Sequence, residues 1–78
     1  MNIEIYGAEW CSYCKKAELL CKTKLVDYVY FDVDDEKNLV KLEEKLGAKV
    51  KSIPQIFKDG LLVPGGFSGL QQELAKTN

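Results

Sequence analysis

The sequence predicts an α/β fold: a four-stranded mixed sheet flanked by helices, in the order β-α-β-α-β-β-α. Three observations predict it. Short runs of β-forming residues alternate with longer stretches of helical periodicity. Asp59-Gly60 stands between two apolar runs, a strong two-residue hairpin signal. Cys11-Ser12-Tyr13-Cys14 lies where the first strand gives way to the first helix. With 78 residues there is room for one domain, 1–78.

The elements follow in order. Ile3-Glu4-Ile5-Tyr6 alternates as a strand does, and Gly7 to Trp10 form a loop in which Trp10 either covers the core or packs beside the cysteines. A helix runs from Ser12 to Lys24. Its apolar side collects Tyr13, Cys14, Ala17, Leu20 and Cys21, and Lys22 and Lys24 suit the negative end of its dipole. Tyr28 to Val33 is a second strand. Two strands joined by one helix imply a parallel pair with a right-handed crossover. Asp34 or Asp35 caps a second helix, Glu36 to Leu46, which buries Leu39, Leu42 and Leu46 and stops at Gly47. After the loop Ala48 to Ser52, Pro54 opens a third strand, Gln55 to Lys58, and Leu61-Leu62-Val63 returns antiparallel to it. Pro64-Gly65-Gly66 breaks that strand. Ser68 then caps the last helix, with Gln71 three residues on completing a capping box.

The cysteine pair carries the chemistry. At the first turn of a helix, the unpaired backbone N–H groups and the positive end of the dipole face the sulfur of Cys11. Both favour thiolate, which is the nucleophilic form. Cys14 is one turn along the same face and can reach back to close a disulfide. A purely structural disulfide would close a very small loop, and loop closure stabilises less as loops shorten. A closed zinc site needs four Cys or His ligands, and the chain has three cysteines and no histidine, so no metal site is expected. A c-type haem site needs His after the second cysteine, where Lys15 stands. Cys21 lies seven residues beyond Cys14, about 10 Å along the helix, too far for a disulfide. It reads as a small buried apolar residue.

The net charge of −1, with lysines and acids interspersed, marks no nucleic-acid-binding patch. No apolar run approaches the ~20 residues that a membrane span needs. Met1-Asn2-Ile3-Glu4 lacks the basic and apolar regions of a signal peptide, so a reducing cytoplasm is the expected location.

This element order, with C-x-x-C at the first helix start, resembles the thioredoxin fold in its smallest form, and three motifs resemble those of glutaredoxins. Cys11-Ser12-Tyr13-Cys14 is similar to the family's C-P-Y-C, with Ser for Pro. Ser52-Ile53-Pro54 is similar to its T-V-P, and Gly65-Gly66 to the glycine pair before its last helix. The resemblance implies a monomeric dithiol–disulfide oxidoreductase that uses glutathione as reductant, with no permanently bound cofactor. It would act on client proteins carrying disulfides or glutathione mixed disulfides, ribonucleotide reductase among them. Cys11 would attack, and Cys14 or a second glutathione would resolve. A cis peptide bond would precede Pro54. The glutathione groove would contain Tyr13, Ile53, Pro54, Gly66, Phe67 and Ser68, with Lys51 or its neighbour Lys49 meeting a carboxylate of the tripeptide.

The sequence also departs from the family pattern. Ala8 and Glu9 stand where many glutaredoxins carry a lysine, and Phe67-Ser68-Gly69 follows the glycine pair where many carry Asp. Two polar contacts to glutathione are therefore absent by this resemblance. Phe67-Ser68 is similar to the end of the S-G-F stretch in small redoxins that thioredoxin reductase reduces. Trp10-Cys11-Ser12-Tyr13-Cys14 is similar to glutaredoxins that bridge a [2Fe–2S] cluster with glutathione. Both remain alternatives to the glutathione-reduced enzyme.

Overall fold

The computed structural model describes residues 1–76. Its elements are β1 (Ile3–Gly7), α1 (Ser12–Thr23), β2 (Tyr28–Asp32), α2 (Glu36–Leu46), β3 (Gln55–Lys58), β4 (Leu61–Leu62) and α3 (Gly66–Ala75). This is the thioredoxin-like arrangement that the element order predicts. The sheet order is β2-β1-β3-β4. β1 is central; it pairs parallel with β2, with Ile5 opposite Tyr30, and antiparallel with β3, with Ile5 opposite Ile56.

Local chemistry explains most boundaries. Asp35 caps α2 by accepting the Lys37 N–H at 3.0 Å, and Gly47 ends the helix in the left-handed conformation (φ 68°) that a side chain would disfavour. In the β3–β4 hairpin, Asp59 and Gly60 both take positive φ, 50° and 86°, as a turn matching the strand twist requires. β4 is one residue shorter than expected, but the Val63 N–H still donates to the Ile56 carbonyl at 2.8 Å.

The start of α3 corrects the sequence reading. Ser68 does not cap it and forms no capping box with Gln71. The helix begins three residues earlier, at Gly66, with Gly65 as its N-cap and no side-chain cap bond. Gly65 and Gly66 turn the chain at φ 87° and 56°, so the helix is already under way when it reaches Ser68. Gly69 lets it lie against the segment that follows β4, because a Cβ there would collide with the Pro64 carbonyl.

The two faces of the sheet bury different material. α1 and α3 cover one face, where Ile3, Ile5, Ala17, Cys21, Ile56, Val63, Leu70 and Leu74 form an aliphatic core. α2 covers the other, where Tyr6, Leu42 and Phe57 pack with Phe31, Val33, Leu46 and Val50. There the Tyr6 ring stacks on Phe31 at 4.7 Å and meets the edge of Phe57 at 5.8 Å. Lys45 closes this cluster, its Nζ 2.7 Å from the Glu4 carboxylate and over the Phe57 ring. No helix among the described residues is long and apolar enough to cross a membrane.

Candidate active site

Cys11 is the N-cap of α1. Its backbone is extended (φ −97°, ψ 109°), and its sulfur accepts the Cys14 N–H at 3.2 Å. That is the amide-to-sulfur contact expected of a nucleophile at a helix start, where backbone donors and the dipole stabilise negative charge on sulfur. Cys14 is fully buried and disulfide-bonded to Cys11, with Cα atoms 5.3 Å apart. The pair is thus asymmetric: one sulfur partly open to solvent, one enclosed.

Gly7, at the end of β1, makes the enclosure possible. A Cβ there would stand 2.6 Å from both the Cys14 Cβ and the Tyr30 hydroxyl. The Tyr30 hydroxyl donates to the Ala8 carbonyl at 3.1 Å, and the same carbonyl accepts the Cys11 N–H at 3.2 Å. The loop before the nucleophile is therefore tied to β2. Burial pushes the Tyr30 phenol above its ordinary range, so it remains a donor through neutral pH. Outside this bracket, Lys15 links Glu9 (3.1 Å) to Glu18 (3.2 Å), and its hydrogen bond to Glu9, followed by that to Glu18, raises its amine further.

Across from α1, the Ile53–Pro54 peptide bond is cis, and the Ile53 carbonyl oxygen lies 4.0 Å from the Cys11 sulfur. A groove of about 340 Å³ runs from Tyr13 along Ile53 and Pro54 to Gly66, Phe67 and Ser68 at the head of α3. Those are the six groove residues named from the sequence, and the fold brings all six together. Tyr13, placed on the apolar stripe of α1 by periodicity, is instead half exposed and faces Phe67 with ring centroids 5.8 Å apart. Gly66 packs so close to Pro54 that a Cβ would sit 3.1 Å from the Pro54 carbonyl.

Lys51 lies elsewhere. It borders a second hollow, of about 440 Å³, on the other side of the Ser52–Ile53 segment, together with Trp10, Cys11, Val33 and Val50. Lys49 is nine-tenths exposed and 3.9 Å from Glu43 on α2, not at the groove. Trp10 does not cover the core. It is 71% exposed at the rim of the hollow, and its indole N–H donates to Asp34 at 3.0 Å. Sequence reasoning missed two contributors, Tyr30 and Gly69. Both act through tertiary contacts, for which a strand tyrosine and a helix glycine give no local signal. Among the described residues, no three His, Cys, Asp or Glu side chains converge as a metal-binding group.

A dithiol at a helix N-terminus, one sulfur accessible and the other behind it, facing a cis-proline across a parallel–antiparallel sheet, defines a thioredoxin-fold thiol–disulfide oxidoreductase. Comparison with known proteins narrows the class. The family model for glutaredoxin matches residues 3–63. Glutaredoxin 3 of Escherichia coli K12 is 35% identical over 65 residues, which span 82% of this chain and 76% of that protein. The structure of reduced Escherichia coli glutaredoxin has a TM-score of 0.77 at 28% identity, covering 97% of this chain and 95% of that one. A buckwheat glutaredoxin–glutathione complex, at 18% identity and TM-score 0.73 over 96% of this chain and 69% of that one, shares the fold. The chain belongs to the glutaredoxin family.

Proposed function

We propose that this protein uses glutathione to reduce client proteins, acting on their disulfides and on their mixed disulfides with glutathione. The observation that carries the reading is the groove beside Pro54. It starts at Tyr13, next to the nucleophile, and ends where the amides of α3 begin, a favourable place for a carboxylate. Its volume and the glycine pair at its end, where backbone can approach a ligand closely, suit an extended tripeptide.

The chemistry follows from the asymmetry of the two sulfurs. On a glutathionylated client, the Cys11 thiolate attacks the glutathione sulfur. The client sulfur leaves as thiolate and takes up a proton. A second glutathione thiolate then attacks the glutathione bound to Cys11, releasing oxidised glutathione and regenerating Cys11. On a client disulfide, Cys11 forms a mixed disulfide with one client sulfur. Cys14 attacks the Cys11 sulfur and expels the client, leaving the Cys11–Cys14 disulfide. Two glutathione molecules reduce it. Thiolate fraction, leaving-group acidity and access set the rates of such exchanges. A reducing cytoplasm is the compartment that would supply this reductant. Ribonucleotide reductase is a client proposed on family resemblance alone.

The test is NADPH consumption with a glutathionylated substrate, coupled in one arm through glutathione and glutathione reductase and in the other through thioredoxin reductase alone. Turnover in the first arm is expected, and Cys14→Ser should retain it on the mixed-disulfide substrate. Turnover confined to the second arm would reject glutathione as the reductant.

A further inference from the structure

We propose that Tyr30 is a positioning residue for the second cysteine: when the Cys11–Cys14 disulfide opens, its hydroxyl turns from the Ala8 carbonyl to the Cys14 sulfur and favours the thiolate there. The inference rests on Cys11 being the nucleophile of the reading above. It goes further by assigning a side chain to the step in which Cys14 attacks.

Four observations carry it. First, the hydroxyl and the sulfur face one small space. The point where a Gly7 Cβ would stand lies 2.6 Å from the Tyr30 hydroxyl and 2.8 Å from the Cys14 Sγ. Glycine leaves only hydrogen there. Second, the hydroxyl is free to change partners. The Ala8 carbonyl that accepts it at 3.1 Å also accepts the Cys11 N–H at 3.2 Å. That carbonyl keeps a donor when the hydroxyl proton swings away about its C–O bond. Third, Cys14 lacks what Cys11 has. It is fully enclosed, and its own N–H is given to the Cys11 sulfur at 3.2 Å. An enclosed sulfur without a donor resists ionisation. Fourth, the ring that carries the hydroxyl is fixed. It packs against the aliphatic core, and the Lys15 ammonium stands 5.0 Å from its centre. The charged groups acting on the phenol are Lys15 and Glu18 from α1, Glu9 from the loop before it and Asp32 from β2. β1 faces it with Gly7. Burial, the largest influence, keeps the phenol protonated, so it serves as a donor and not as a base.

In the step concerned, the Cys14 thiol gives its proton to solvent and the thiolate attacks the Cys11 sulfur. The bond from Cys11 to its partner breaks, and the partner leaves as thiolate. A hydroxyl donor lowers the pH at which Cys14 ionises. It also makes the thiolate less nucleophilic, with a Brønsted coefficient of about 0.4–0.5. Tyr30 thus speeds closure at neutral pH and slows it at alkaline pH. The experiment mixes the reduced protein with a chromogenic aromatic disulfide, dithiobis(nitrobenzoate), in stopped flow from acid to alkaline pH. Attack by Cys11 releases one coloured thiolate at a rate that scales with the reagent. Closure by Cys14 releases the second at a rate that does not. The Cys14→Ser protein gives the first release only, which assigns the phases. The assay contains no glutathione, so it stands apart from the choice of reductant.

Tyr30→Phe keeps the ring and removes the hydroxyl. The first release should be unchanged. The midpoint of the closure profile should move up by about one pH unit, the low end for a hydrogen bond to a charged group. Closure should then be about threefold slower at neutral pH and about threefold faster on the alkaline plateau. Closure that is unchanged, or slower by one factor at every pH, would overturn the proposal. So would a slower first release alone, which places the hydroxyl's effect on Cys11 through Ala8. If the unaltered protein gives no first release, the reading of Cys11 as nucleophile is what fails. A crystal structure of the reduced protein decides the matter independently of any rate. The Tyr30 oxygen is expected within hydrogen-bond reach of the Cys14 sulfur, and a hydroxyl bonded only to Ala8 would overturn the assignment.

Discussion

The two ends of α1 each carry cysteine chemistry, with opposite outcomes. At the N-terminus, Cys11 is partly exposed, accepts a backbone amide and is bonded to Cys14. Nearer the C-terminus, Cys21 is fully enclosed in the aliphatic core and has no such donor. Burial pushes its thiol up to about 11, with the Glu18 carboxylate adding to the effect. Cys14 shows that burial alone does not decide reactivity, because it is as enclosed as Cys21 yet participates. The difference lies in where along the helix a sulfur stands: within reach of the first-turn amides and of a second sulfur, or within the core.

The largest effect should come from exchanging the roles. Cys11→Ser is expected to reduce turnover of a glutathionylated substrate to background, while Cys21→Ser retains it at a stability cost of about 1–3 kcal/mol for a buried hydroxyl. Coupled NADPH assays and urea denaturation read the two. A folded Cys21→Ser protein without turnover would break the comparison. Gly7→Ala comes next, since its Cβ has no room between Cys14 and Tyr30. A loss of about 1–3 kcal/mol is expected from such overpacking, together with slower closure of the Cys11–Cys14 disulfide. An unchanged thermal midpoint would show that the enclosure of Cys14 is looser than described.

The smallest effect concerns Glu18, midway between the two ends. Burial by itself would raise its pKa, but the Tyr28 hydroxyl at 2.9 Å and Lys15 at 3.2 Å outweigh that and hold it below the usual carboxylate value. A lowered folded-state pKa means that the ionised form stabilises the fold above the unfolded pKa, and the contribution is lost as pH falls through the folded one. Glu18→Gln should therefore cost about 0.5 kcal/mol near pH 7 and progressively less as pH drops below the ordinary carboxylate range. A cost that does not change with pH would place Glu18's role in packing instead.

Most of this arrangement was legible in the chain because it is local. Helix starts and stops at Asp35 and Gly47, the Asp59-Gly60 turn, and the cysteine at a helix start each follow from a few neighbouring residues. The six groove residues were legible through family resemblance, since they come from α1, the Pro54 loop and α3, which only the tertiary fold brings together. Ser68 misled because a serine three residues before a glutamine matches a cap, whereas two glycines at positive φ had already turned the chain. Tyr13 misled because helical periodicity gives the face of a helix but not how far the sheet extends beneath it. The position of Lys51 depends on which side of the Ser52–Ile53 ridge its side chain falls, and no spacing in the sequence encodes that.

Trp10 is the chain's one tryptophan, and it borders the same hollow as the sulfur that changes oxidation state. A disulfide near an indole quenches its emission by accepting an electron from the excited ring, and a pair of thiols does so far less. The protein therefore carries a built-in optical gauge of its own oxidation state.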